Sequence, residues 1–153
     1  MYFILLYSRR WIDDDLNRAR ELGIHGKVLI SFCIATLGFN VSILTSFYTD
    51  VTPPIADRTP IVYIYAVFFS PIFEELICRK VIQDQLSKHI KTKYSILISA
   101  FIFALLHFNL PLLFGFMFVG LVWGYYYKKT GNIFVPIFSH FLFNYFTLLI
   151  QSF

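Results

Sequence analysis

The sequence predicts an all-α fold: a polytopic transmembrane helical bundle of about five spans, with its N-terminus cytoplasmic. Two observations carry that prediction. The first is composition: of 153 residues, 58% are hydrophobic, 20% aromatic and only 14% charged. Soluble domains carry about 25% charged residues, and 19 Phe exceed what one small core can bury. The second is distribution, because the charges are gathered between uncharged runs, and about 20 helical residues cross a hydrocarbon layer about 30 Å thick. The net charge of +4 is spread over the segments between those runs, so it speaks to topology and no nucleic-acid partner is expected. Cys33 and Cys78 lie inside apolar runs without the spacing of a disulfide framework or zinc ribbon, and are expected to be packing residues.

Residues 1–27 read as a cytoplasmic N-terminal segment. Residues 1–7 are apolar but too short for a signal-peptide core with a cleavage site, and residues 12–22 read as a short amphipathic helix with Asp13 to Asp15 as cap candidates. The transmembrane domain is expected over 28–153. Span one is 28–48, 21 residues without charge, and Pro53 and Pro54 mark the loop after it. A second apolar run, 60–73, ends in Glu74, Glu75, Arg79 and Lys80 where a simple span should still be hydrophobic. Within it Pro71 lacks the amide that would bond to the Val67 carbonyl, which predicts a kink. Residues 94–127 hold 34 residues without charge, too many for one crossing, and the Asn109-Leu110-Pro111 break divides them into spans three and four. Residues 131–153 form span five, with Pro136 tolerable near its first turn. Of the 13 Lys and Arg, only Arg58 falls on the opposite side from the rest, so the positive-inside rule places the N-terminus in the cytoplasm. The expectation is an integral, multi-pass protein, and small size leans toward a bacterial cytoplasmic membrane.

Glu74, Glu75, His107, His140 and Asn144, with Arg79 beside them, interrupt the apolar spans. An ionisable group at mid-bilayer costs roughly 2.5 to 3.5 kcal/mol on insertion scales, so these must face a protein cavity or pair internally. Glu75 and Arg79 are four apart and share a face fit for an ion pair; Glu74 is turned about 100° away and is free for other work. Counting back along the hairpin between spans two and three sets His107 level with Glu75, and the turn near Gly131 sets His140 level with residue 122, between Gly120 and Gly124. Those glycines offer a smooth face for a close neighbour. Alone, a mid-span histidine is most often a packing residue, Asn40 and Asn144 read as helix-to-helix hydrogen bonds, and Tyr125 to Tyr127 read as interfacial anchors.

Glu74-Glu75-x-x-x-Arg79, then Phe103-x-x-x-His107, then His140-x-x-x-Asn144, in order and on successive spans, resembles the three motifs of the CPBP intramembrane proteases. That family includes the type II CAAX prenyl endopeptidases and bacterial members linked to abortive infection and bacteriocin immunity. The resemblance covers residues 60–150. It implies an intramembrane endopeptidase in which Glu74 activates water, Glu75 supports it, Arg79 organises the carboxylates, and His107 and His140 complete the site with Asn144. Phe103 is a supporting position. Peptide hydrolysis needs a base, oxyanion donors and an acid for the leaving amine; Glu74 is the base candidate, and Asn144 with a histidine the oxyanion pair. No cofactor is certain: two histidines and a glutamate suit zinc with water in the open position, so Glu74, His107 and His140 are the candidate ligands if the enzyme is a metalloprotease. The partners implied are the bilayer and a peptide or protein substrate, lipid-modified or not; oligomeric state is open. The alternatives are a catalytically silent immunity or adaptor protein of the same fold and, third, a small ion or proton carrier.

Overall fold

The computed structural model describes residues 23–45 and 60–151; the expected helix at 12–22, the opening segment, the Pro53-Pro54 loop and the end of span one lie outside them. The described residues form five helices: α1 (Ile24–Thr45), α2 (Pro60–Ser87), α3 (Thr92–Leu106), α4 (Leu113–Thr130) and α5 (Phe134–Gln151). The stretches Ile24–Ile43 and Pro60–Ser87 are long and apolar enough to cross a membrane, while Thr92–Leu106 and Phe134–Ile150 are apolar but shorter.

α2 corrects two expectations. It does not stop where charge begins at Glu74 but runs 28 residues to Ser87, because its polar residues recur every four positions and turn inward together. Glu75, Arg79 and Gln83 are each 0% exposed, whereas Phe73, Ile77 and Val81 on the outer face are 55%, 47% and 58% exposed. A helix in water shows the reverse arrangement; polar inside and apolar outside is what a lipid surround selects, and the bundle is a helical membrane fold. Nor does Pro71 simply break the ladder. The preceding turn, Tyr65–Phe69, widens to a π-helix in which the Ser70 amide reaches the Tyr65 carbonyl, and a second π stretch follows at Leu76–Gln83.

α4 is the hub, packed on α1, α3 and α5 and touching α2. Its glycines explain the closeness: a Cβ at Gly120 would stand 3.0 Å from the Ala100 Cα on α3, and one at Gly124 would stand 2.8 Å from Gln83 Oε1 on α2. The expected break between spans three and four is present, since α3 ends at Leu106 and Asn109 Oδ1 accepts from the Leu112 amide at 3.2 Å ahead of α4. Gly131 ends α4 in the left-handed region at φ 63°, its amide reaching the Tyr127 carbonyl at 2.8 Å. Asn132 Oδ1 then accepts from the Phe134 amide at 2.8 Å, and Pro136 falls in the first turn of α5, where a missing amide costs nothing. Asn40 bonds within its own helix, to the Thr36 carbonyl at 2.8 Å, and joins no neighbouring helix among the described residues. Cys78 is buried, but Cys33 is exposed on α1. Tyr127 is no interfacial anchor: it is buried, and its hydroxyl donates to Asp84 Oδ2 at 2.7 Å, tying α4 to α2.

Candidate active site

The motif residues meet between α2, α3 and α5. On α2, the inward stripe begins with Glu75, whose Oε2 accepts from Arg79 Nε at 2.8 Å with both side chains fully buried. Arg79 also donates from Nη1 to Ser99 Oγ on α3 at 3.2 Å, and its guanidinium lies 5.6 Å from the centre of the Phe103 ring. Ser99 in turn donates to the Cys78 carbonyl at 2.7 Å. Two buried charges are tolerable only when paired and hydrogen-bonded in this way.

The two histidines approach the carboxylates from opposite helices. His140 Nδ1 lies 3.3 Å from Glu75 Oε1, and its Nε2 lies 3.9 Å from Glu74 Oε2. His107 Nδ1 lies 2.9 Å from the Phe103 carbonyl, and its Nε2 lies 3.8 Å from the same Glu74 Oε2. Glu74 Oε1 accepts from the Ser70 hydroxyl one turn earlier, while Oε2 is buried with no hydrogen-bond partner. Hairpin counting was therefore one residue out: Glu74 faces His107, and Glu75 faces His140.

Tautomers follow from the partners. A carbonyl can only accept, so His107 carries its hydrogen on Nδ1; a carboxylate paired with Arg79 accepts as well, so His140 does the same. With that hydrogen placed, Nε2 of each ring is turned toward Glu74 Oε2. Three polar atoms thus face one point, and water, which can both donate and accept, is the smallest group able to join them. For zinc the chemistry of the donor set is suitable; two ligands on a tetrahedral zinc stand about 3.4 Å apart, from bond lengths of about 2.0 to 2.1 Å, against the 3.8 and 3.9 Å from Glu74 Oε2 to the two imidazoles here. Among the described residues no group of three or more His, Cys, Asp or Glu is arranged to hold a metal ion.

Trp123 and Phe116 join the motif residue Phe103 around the imidazoles, and neither belongs to the motifs. Trp123 stacks on His140 with ring centres 4.1 Å apart and donates its indole hydrogen to Ser139 Oγ at 2.8 Å. Phe116 stacks on His107 at 4.0 Å. Phe103 lies between the imidazoles, 4.6 Å from His107 and 5.8 Å from His140. Asn144 is the motif residue that does not reach the carboxylates in this arrangement: its Nδ2 donates to the Ala66 carbonyl on α2 at 2.8 Å. The signal for Trp123 and Gln83 lay in register, since 123 adjoins the level computed for His140 and Gln83 continues the stripe from Glu75 and Arg79.

Comparison with known proteins bears on this geometry. The profile of the family described as type II CAAX prenyl endopeptidase Rce1-like matches residues 56–146. The chain is 32% identical over 103 residues to a protein of Bacillus subtilis (strain 168) named "Putative membrane peptidase YdiL". The aligned stretch is 67% of this chain and 42% of that protein, so the chain spans about two fifths of the length of the curated relative it matches. No solved structure matches it.

Proposed function

The chain belongs to the Rce1-like family of type II CAAX prenyl endopeptidases, and from that premise we propose that it is an integral-membrane peptidase that hydrolyses a peptide bond with water activated by Glu74. The observation that carries the reading is the convergence of Glu74 Oε2 with Nε2 of His107 and of His140, at 3.8 and 3.9 Å, from three helices. A water held there donates one hydrogen to Glu74 and one to His107 Nε2. Glu74 takes the first proton as the water oxygen bonds to the scissile carbonyl carbon. The tetrahedral intermediate collapses by breaking the carbon–nitrogen bond, and Glu74 returns the proton to the leaving amine.

His140, held through Nδ1 by Glu75, is the oxyanion donor in this scheme when its Nε2 carries a proton. The Glu75–Arg79 pair is the support that keeps that ring in place. No step requires a metal. The substrate class proposed is a membrane-associated peptide, with a prenylated C-terminal peptide as the first candidate from the family description. The positive-inside rule assigns the Lys-rich turn after α2 to the cytoplasmic side, and in this reading the peptide approaches the site from that side.

The test uses the purified protein in detergent, with a farnesylated CAAX-type peptide and its unprenylated counterpart. The parent is expected to cleave at an unchanged rate when a zinc chelator is added, and Glu74→Gln is expected to lose about 10²- to 10⁴-fold, the usual worth of a general base. A Glu74→Gln protein with the parent's rate would refute the assignment. Loss of the rate on chelation would return Glu74, His107 and His140 to the role of metal ligands.

A further inference from the structure

The π-helical turn ahead of the site leaves a specific debt in the backbone. In a regular α-helix the Ala66 carbonyl would accept from the Ser70 amide, and in a π-helix from residue 71. Here the Ser70 amide goes to the Tyr65 carbonyl, and residue 71 is proline, which has no amide hydrogen. Neither main-chain donor is available to Ala66. A carbonyl without a donor is costly anywhere out of water and most costly at membrane depth. The group that fills the gap is the side-chain amide of Asn144, at 2.8 Å, from the opposite helix.

We infer that Asn144 is a positioning residue, which caps the Ala66 carbonyl left unserved by the π turn and Pro71 and so fixes α5 against α2. The placement explains why this tie matters. Asn144 is one turn beyond His140 on α5, and Ala66 is one turn before Ser70, whose hydroxyl holds Glu74. The tie therefore spans the two helices whose separation sets the 3.9 Å between His140 Nε2 and Glu74 Oε2. Through this tie Asn144 acts on the reacting groups by way of the backbone of α2, and its amide keeps a second hydrogen that the cap does not use. The activity arm of this inference rests on the peptidase reading; the stability arm does not.

The experiment is a double-mutant cycle of Asn144→Ala and Pro71→Ala, read by thermal unfolding in detergent and by cleavage of the farnesylated peptide well below the unfolding temperature. Pro71→Ala restores a main-chain donor to Ala66, from residue 71 itself or from Ser70 if the turn relaxes to an α-helix. In the parent background Asn144→Ala is expected to lower the unfolding temperature and to cut kcat at least tenfold with KM within twofold. In the Pro71→Ala background the same substitution is expected to cost less than a third of that drop in unfolding temperature. A full cost in both backgrounds, or lost turnover with an unchanged unfolding temperature, would overturn the capping role and assign Asn144 to the substrate. An unchanged kcat below the unfolding temperature would reduce Asn144 to a purely structural tie.

Should Pro71→Ala fail to fold, hydrogen exchange on Asn144→Ala alone decides the matter. Faster exchange across residues 65–75 than in the parent supports the cap, and unchanged exchange refutes it. If the parent and Glu74→Gln both leave the peptide uncut, the peptidase reading fails, while the unfolding and exchange results still test the cap.

Discussion

His140 sits in the middle of α5, buried, with Trp123 stacked on its face and the Glu75–Arg79 pair against its Nδ1. His107 closes the end of α3, its ring 23% exposed, held by a carbonyl of its own helix and by Phe116. Immediately after it Phe108 adopts φ 49°, a left-handed conformation that L side chains rarely take, and is 92% exposed. The same side chain is thus presented by two different means. One imidazole is fixed by a network that spans three helices, and the other by a local helix end with a strained residue beside it. Strain of this kind gathers at functional positions, where the surrounding structure holds it in place.

The sharpest way to break the contrast is Arg79→Ala. It leaves Glu75 buried without its cation and with His140 Nδ1 at 3.3 Å as its remaining partner, and an abandoned partner of a buried ion pair costs about 3 to 5 kcal/mol. Chemical denaturation in detergent is expected to record that loss, together with the loss of cleavage; a stability near the parent's would mean the network does not hold α2 and α3 together. His107→Ala is the matched comparison. It removes one hydrogen bond and one stack at a helix end, so a stability change of about 1 kcal/mol is expected, with cleavage lost all the same. The smallest effect belongs to Phe108→Gly. Relief of a left-handed L-residue is worth about 1 kcal/mol once the greater freedom of unfolded glycine is subtracted, and the unfolding temperature should rise slightly. A fall would mean that the Phe108 ring contributes packing that its exposure conceals.

Much of this site was legible as spacing. Glu75 and Arg79 four apart announce an ion pair, the break at Asn109-Leu110-Pro111 separates two helices, and three sets of polar residues in apolar runs have few places to go except toward one another. What spacing could not give is phase. Counting equally either way from a turn centred near residue 91 pairs levels and not faces, and the π stretch at Leu76–Gln83 lies between that turn and the carboxylates, so the count set Glu75 against His107 where Glu74 takes that place. An apolar run also conceals which of its aromatics are working parts: register alone points to Trp123, and nothing in the letters separates Phe116 from the other rings. The reading of Asn144 as a helix-to-helix hydrogen bond matches its bond to Ala66, but that partner, a main-chain carbonyl, carries no mark in the sequence beyond the proline five positions on.

Gly124 gives the site a back wall that can be tuned without entering it. A methyl group there would press on Gln83 Oε1 and approach Arg79 Nη1 to 3.4 Å, and Arg79 is the clamp on Glu75. A change at this position of α4 would thereby be transmitted through a guanidinium to the imidazole of α5, so the spacing of the carboxylates and imidazoles is dimensioned partly by a residue that contributes no side chain at all.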